Sequence, residues 1–270
     1  MTATALSVAL PPALPLTHPD RVDEGFRPLK AWGHFRKLVA DKEDTEQVFH
    51  IINALRDGRF ARLAEAFYAT EFGAATLTEP VSLVALLDDH DALRQLPAGT
   101  VGRAYLAFME REGLTAQGLV DEYDRFRRHQ PRYDDLLERY SNRLRDTHDL
   151  CHVLTGYGRD ALGETSVLAF SACHTPNWGT QFIAWAGALQ IRKQVPRAAN
   201  ILGCIREARR IGKAAANIAH QDIAALLREP LADARKRLGI GKPVTYLRAH
   251  EVMRAHGLEP AQTALSTQAA

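Results

Sequence analysis

TVGRAYLAFMEREGLTAQGLVDEYDRFRRHQP, residues 100–131, decides the fold class. Tyr105, Phe108 and Met109 fall on one face at three-and-four spacing, Thr100 has the hydroxyl of an N-cap, and Gly113 has the freedom a helix stop needs. Leu119, Tyr123 and Phe126 repeat the pattern until Pro131 ends it. The same period extends in both directions. Upstream, DTEQVFHIINALRDG (44–58) sets Val48, Ile51, Ile52 and Leu55 at helical spacing, with Asp44 and Gln47 suited to a capping box and Gly58 to the stop. Shorter helical pieces, LAEAFYAT and VSLVALLDDHDALRQL, flank a Gly73/Pro80 stretch. Downstream, Leu137, Tyr140, Leu144, Cys151 and Leu154 predict one long helix. SVLAFSAC (166–173) and QFIAWAGALQI (181–191) are apolar on most sides and are joined by the turn HTPNWG. IREARRIGKAAANIAHQDIAALL (205–227) predicts a long helix, Pro230 restarts one in LADARKRLGI, and YLRAHEVMRAHG closes.

No alternation, hairpin signal or repeat is present, so the expected fold is all-α. It is a single multi-helix domain over 28–241 with a long central helix. A flexible Pro-rich arm (1–27) precedes it, and a C-terminal helix and loose tail (242–270) follow. The 270 residues are 46% hydrophobic and 24% charged, which suits a globular domain with a full core. A net charge of +2, with no aromatic-interleaved basic motif, argues against a nucleic-acid partner. Arg206, Arg209, Arg210 and Lys213 form a basic stripe that reads as a solvated face. Cys151, Cys173 and Cys204 are odd in number and never paired as CxxC, so they read as reduced core thiols. No apolar run reaches the roughly 18 to 20 residues a bilayer span requires.

Within the central helix, THDLCHVLTGYGRDALGE (147–164) gathers metal-type donors. His148, His152 and Asp149 fall at about 0°, 40° and 100° around the axis, in one wedge. Gly156 and Gly158 break the helix and allow the chain to fold back, bringing Glu164 toward that wedge. The nitrogen/oxygen set suits zinc, iron, cobalt or manganese, with an open position for chemistry. The plainer alternative is a hydrogen-bonded histidine pair on an ordinary helix. Asp146, Asp160 or Tyr140 could orient the imidazoles. Arg145 and Arg159 bracket the stretch and could meet a substrate carboxylate, although surface ion pairs are the default for arginine. Leu168, Phe170, Phe182, Ile183, Trp185 and Leu189 are candidates for an apolar groove, or plain core.

HDxxH followed after eleven residues by Glu resembles the signature of the ubiquinone (coenzyme Q) biosynthesis protein family, the fourth member of the Coq series. DKEDTEQVFHIINAL, LPAGTVGRAYLAFMEREGLTAQGLV, TPNWG and DIAALLREPLADARKRLGI also resemble family segments, so the likeness covers about 28 to 241. The resemblance implies an all-α fold and one divalent metal ion on His148, Asp149, His152 and Glu164, which would be the catalytic group. It also implies oxidative decarboxylation at carbon 1 of a prenylated 4-hydroxybenzoate-derived ring. The implied partners are that polyprenylated aromatic acid, a membrane surface, other ubiquinone biosynthesis enzymes and a second copy as a homodimer. Arg145, Arg159, Phe170, Phe182 and Trp185 are the candidate substrate contacts. The absence of an arginine-rich transit segment points to a bacterial member, cytoplasmic and peripheral to the inner membrane. Two rivals stand beside this reading. One is a non-catalytic lipid-binding scaffold; the other is a metal-dependent hydrolase, for which His129 and Asp222 are loose additional candidates.

Overall fold

The computed structural model describes residues 14–22, 25–40, 46–79, 82–128 and 130–260. Residues 1–13 of the arm, Asp44 of the capping box, Pro80, His129 and the tail from 261 lie outside the described residues. Among the described residues the chain is helical, and its one β contact is an isolated bridge between Thr100 and Pro230.

Helices α1 (Pro28–Ala40) and α2 (Glu46–Ala54) pack on each other, and α3 (Arg59–Tyr68) and α4 (Glu71–Ala75) follow. The stretch before Leu96 divides into α5 (Leu83–Asp88) and α6 (His90–Gln95), because Ser82 and Asp89 each cap a new start by accepting from the amides of Ala85 and Ala92. Next come α7 (Val101–Glu112) and α8 (Ala116–Phe126). Thr100 caps α7 by accepting from the Arg103 amide, and Gly113 stops it at φ 65°, as the sequence predicts.

The long central helix is two helices, α9 (Leu136–Asp146) and α10 (His148–Thr155). Thr147 separates them at φ −91°, ψ 2°, and its hydroxyl donates to the carbonyls of Arg143 (2.9 Å) and Leu144 (3.3 Å). A threonine hydroxyl on the preceding turn competes with the helical ladder and bends it. His148 therefore begins a helix instead of continuing one.

The center of the molecule is α11 (Ala161–Ser171), α12 (Trp178–Arg192) and α13 (Ile201–Ala214), packed together and extended by α14 (Ile223–Arg228), α15 (Leu231–Arg237) and α16 (Val244–Ala255). The long helix predicted over 205–227 is divided as well. Ala215 is extended, the Ala216 amide donates to Leu238, and Asp222 caps α14. Leu150, Leu154, Leu162, Phe170 and Ile205 are fully buried or nearly so, and a fully buried side chain of this size is worth about 1.5–3 kcal/mol.

Two expectations about the ends change. The described part of the arm is fastened, not loose: the amides of Leu136 and Leu137 donate to Pro15 and Leu16, and Arg21 makes a two-pronged pair with buried Asp135 at 2.6 and 2.7 Å. Burial opposes the charge on Asp135, but Arg21 and the amides of His18 and Glu138 hold its carboxyl below the ordinary range. At the other end α16 buries Tyr246, Ala249 and Met253, so it belongs to the central core.

Candidate metal centre and cavity

The Gly-marked break does what the sequence requires of it. Gly156 ends α10 in the left-handed region at φ 81°, and Gly163 lies so close to Gly158 that a side-chain carbon would collide with its carbonyl. The chain folds back, Asp160 caps α11 by accepting from the Gly163 amide, and Glu164 stands in the first turn of that helix. A carboxylate there is favoured by the helix dipole.

His148, His152 and Glu164 converge, with donor atoms all within 4.8 Å of one another, and the three could hold a metal ion. The two Nε2 atoms are 3.3 Å apart, and the Glu164 carboxylate oxygen Oε2 is 3.5 Å from that of His148 and 3.4 Å from that of His152. Donors set about 2.0–2.1 Å from one tetrahedral ion are spaced about 3.3–3.4 Å, so the side chains fit such an ion. His152 Nδ1 lies 3.1 Å from the Tyr157 carbonyl and donates to it, so Nε2 is the ring nitrogen turned toward the group. Phe108 stacks on the same ring at 5.5 Å.

The electrostatics are those of an ion-paired cluster. Burial would raise the Glu164 pKa, but the two facing imidazoles outweigh it and hold the carboxyl well below its ordinary value. Burial would lower that of His148, but Glu164 and then Asp149 outweigh it and hold it above the usual imidazole value. Asp149 is buried and faces the same cavity, yet stands outside the three-residue group. Its charge adds to burial in keeping the Tyr105 phenol neutral.

Three of the suggested orienting partners serve elsewhere. Asp146 pairs with Arg145, Tyr140 meets His220 at 2.8 Å, and Asp160 caps α11. Asp160 also ties the ligand helix to α16: Tyr246 donates its hydroxyl to one carboxylate oxygen (2.5 Å), and His250 lies 3.1 Å from the other. The Tyr246 oxygen in turn accepts from the Gly158 amide at 2.9 Å. Arg235 closes the far end of α10 by donating to the carbonyls of Val153 and Leu154. The carbonyl of Tyr157, as a backbone acceptor, leaves no mark in the sequence, and neither do the roles of Tyr246 and Arg235.

His148, Asp149 and Glu164 are among the residues that line a cavity of about 660 Å³. Leu168, Phe170, Ile183, Arg145 and Arg159 also line it. Arg159 lies 3.3 Å from Glu164, whereas Arg145 is held by Asp146 with its guanidinium 5.3 Å above the Tyr123 ring. Phe182 and Trp185 do not line it. Ile183 and Thr180 take the inward face of α12, one helical repeat apart, which turns 182 and 185 away. Phe182 packs on Phe35 and Trp32, Trp185 packs against the central core, and Leu189 is half exposed. The walls that sequence reasoning missed are Val48, Phe49 and Ile52 of α2, and Leu119 and Tyr123 of α8. Helical spacing marks Val48, Ile52, Leu119 and Tyr123 as apolar faces without saying which of them faces a space, and it leaves Phe49 out. For the hydrolase rival, Asp222 is occupied as the cap of α14 and lies outside the donor group.

Fold and site thus define an all-α protein whose His/His/Glu group, able to hold a metal, adjoins a cavity lined by both apolar and polar side chains. The sequence profile described as "Coenzyme Q (ubiquinone) biosynthesis protein Coq4" matches residues 57–244, and the chain belongs to that family. It is 33% identical over 119 residues to "Ubiquinone biosynthesis protein COQ4, mitochondrial" of Pyricularia oryzae, covering 42% of this chain and 35% of that protein. It is 26% identical over 188 residues to the protein of the same name from Podospora anserina, covering 67% and 58%. The chain therefore matches less than two thirds of the length of these curated relatives. A crystal structure from Nostoc punctiforme PCC 73102, of a protein provisionally assigned to ubiquinone biosynthesis, shares the fold with a TM-score of 0.58 at 20% identity, covering 81% of this chain and all of that one. No helix among the described residues is long and apolar enough to cross a membrane.

Proposed function

We propose that the protein carries out metal-dependent oxidative decarboxylation at carbon 1 of a prenylated 4-hydroxybenzoate-derived ring. The observation that carries this reading is the convergence of His148, His152 and Glu164 beside a cavity that His148 and Glu164 line together with Val48, Ile52, Leu168 and Ile183. A bound divalent ion, whether iron, manganese, cobalt or zinc, would supply a positive centre for the ring's oxygens and, if redox-active, a route for electrons. His148, His152 and Glu164 would hold it, and Asp149 would join them or orient the ring.

The carboxylate leaves as carbon dioxide and a hydroxyl from water takes its place, a two-electron oxidation of the ring in which dioxygen is reduced to hydrogen peroxide. Arg159, already in contact with Glu164, would bind the carboxylate before it leaves. Phe108 covers one face of His152, and Phe170 and Leu168 help keep water from the ring. The tail would lie along Val48, Ile52, Leu168 and Ile183, and its affinity comes from burying apolar carbon at about 0.8 kcal/mol per CH₂. Membrane-surface association and contact with other ubiquinone biosynthesis enzymes belong to the same reading, since such a substrate resides in lipid.

The test is to incubate metal-loaded protein with a prenylated 4-hydroxybenzoate in air and to follow carbon dioxide and product mass. The expected product has hydroxyl in place of carboxylate. Retention of the carboxylate with all four ions would favour the scaffold reading, in which the ion only fixes α10 against α11.

A further inference from the structure

The cavity carries a second polar group, apart from the metal donors. Glu164, Leu168, Ser171 and Thr175 recur at intervals of four, three and four residues. They therefore share one face of α11 and of the turn that prolongs it, where the Thr175 amide donates to the Ser171 carbonyl at 3.0 Å. All four line the cavity, and His174 lines it beside them. The His174 ring meets Phe170, one helical turn back, edge to face with centroids 5.2 Å apart.

Neither ring nitrogen of His174 has a hydrogen-bond partner among the described residues. Its Nε2 is the one buried nitrogen or oxygen of the cavity-lining side chains left unpaired there. The neighbouring His220 is satisfied, with Nε2 2.8 Å from the Tyr140 hydroxyl. Burial, and then His220, push the His174 pKa down to about 4, so at neutral pH the ring is uncharged and offers one N–H and one lone pair. Asn217 of the lining keeps its Oδ1 on the Ala219 amide at 3.0 Å, which leaves its NH₂ group to bond elsewhere. Ser171 and Thr175 add hydroxyls. This part of the lining is polar without being charged, unlike the part around Glu164, where Arg159 stands 3.3 Å from the carboxylate.

An unpaired buried nitrogen is costly against hydrocarbon, and a polyprenyl tail has nothing to pair with it. An oxygenated ring has. Glu164 and Ser171 stand seven residues apart, about 10 Å along the axis, which spans a benzoate ring with a hydrogen bond of about 3 Å at each end. We propose that His174, with Ser171 and Thr175 beside it, receives the uncharged ring oxygen opposite the carboxylate and makes the protein specific for a hydroxylated ring. This rests on the reading of the cavity as the site of a prenylated 4-hydroxybenzoate-derived acid. It divides recognition of the ring between a charged group at Arg159 and a neutral one at His174.

The test is isothermal titration of the zinc-loaded full chain, under nitrogen to prevent turnover, with 3-geranyl-4-hydroxybenzoate and with 3-geranylbenzoate, which lacks only the hydroxyl. The native protein should hold the hydroxylated acid roughly 30-fold more tightly, as expected when the other acid leaves a buried group unpaired. His174→Phe keeps a ring of similar size and removes both nitrogens, so it should bind the two acids within about three-fold of each other. His174→Gln returns a donor and an acceptor and should restore most of the preference, which a merely space-filling histidine would not show. Zinc affinity should be the same in all three proteins, since His174 stands outside the donor group. Equal binding of the two acids by the native protein, a comparison that needs no variant, would overturn the inference and leave the reading of the cavity standing. So would a preference that persists in His174→Phe. Binding of neither acid would overturn both.

Discussion

The donor group and the apolar part of the cavity lining are built by different means. In the donor group each functional side chain is constrained by directional contacts: the Tyr157 carbonyl on His152, Asp160 and Tyr246 behind the first turn that bears Glu164, and Arg235 at the end of α10. The apolar part of the lining comes from α1, α2, α8, α11 and α12, where Leu38, Val48, Ile52, Leu119, Leu168 and Ile183 can make no side-chain hydrogen bond. Directional bonds fix where chemistry happens, since a small misplacement of a ligand destroys a site. Apolar packing sets how strongly a long substrate is held and tolerates adjustment.

If that division is right, substitutions in the two parts should separate metal binding from substrate binding. The largest effect is expected from His152→Ala, which removes a buried ligand. Stoichiometric metal binding should be lost by isothermal titration, a fall exceeding the roughly 100-fold upper range for an outer partner. Tyr246→Phe should come next. It deletes the hydroxyl that ties α16 to Asp160 and should weaken metal binding about ten-fold, with KM for the prenylated acid unchanged at saturating metal. A change in KM with unaltered metal affinity would remove the distinction between the two parts.

A smaller effect belongs to the wall. Val48→Ala takes two methyl groups from the cavity lining, about 1.6 kcal/mol of apolar contact. It should raise KM roughly ten-fold with kcat and metal affinity intact. A separate effect, read in stability and not in binding, is one of pH. His174, on the cavity wall, has its pKa pushed down to about 4 by burial and then by the neighbouring His220. The unfolded chain takes up this proton near pH 6.5, while the folded chain does so only near 4. Its unfavourable contribution is absent above pH 6.5 and grows as pH falls toward 4, so stability is lost over that window. The difference between urea-unfolding curves of the native chain and His174→Gln should shrink or reverse across it, and parallel curves would show that this histidine titrates normally.

What the sequence discloses follows the range of the interactions. The caps at Thr100 and Gly113 and the turn at Gly156 depend on neighbours within a few residues, and they are legible. So is the convergence of His148, His152 and Glu164, because helix geometry and two glycines determine it. The division at Thr147 is less legible, since a threonine in a helical pattern marks a bend only when its hydroxyl turns to the preceding carbonyls. The cavity wall is not legible at Phe182 and Trp185, because a helix apolar on most sides does not reveal which stripe meets a space and which meets core. The strap at residues 14–22 depends on Arg21 finding Asp135, 114 residues away, which no local pattern encodes.

The central claim is that His148, His152 and Glu164 hold one metal ion beside the cavity. Anomalous diffraction from crystals of the protein loaded with zinc or cobalt tests it directly. The account predicts a single peak about 2.0–2.2 Å from Nε2 of His148, Nε2 of His152 and a carboxylate oxygen of Glu164. A peak at the cysteines or on the surface, or none in a protein whose histidines keep their 3.3 Å separation, would contradict it.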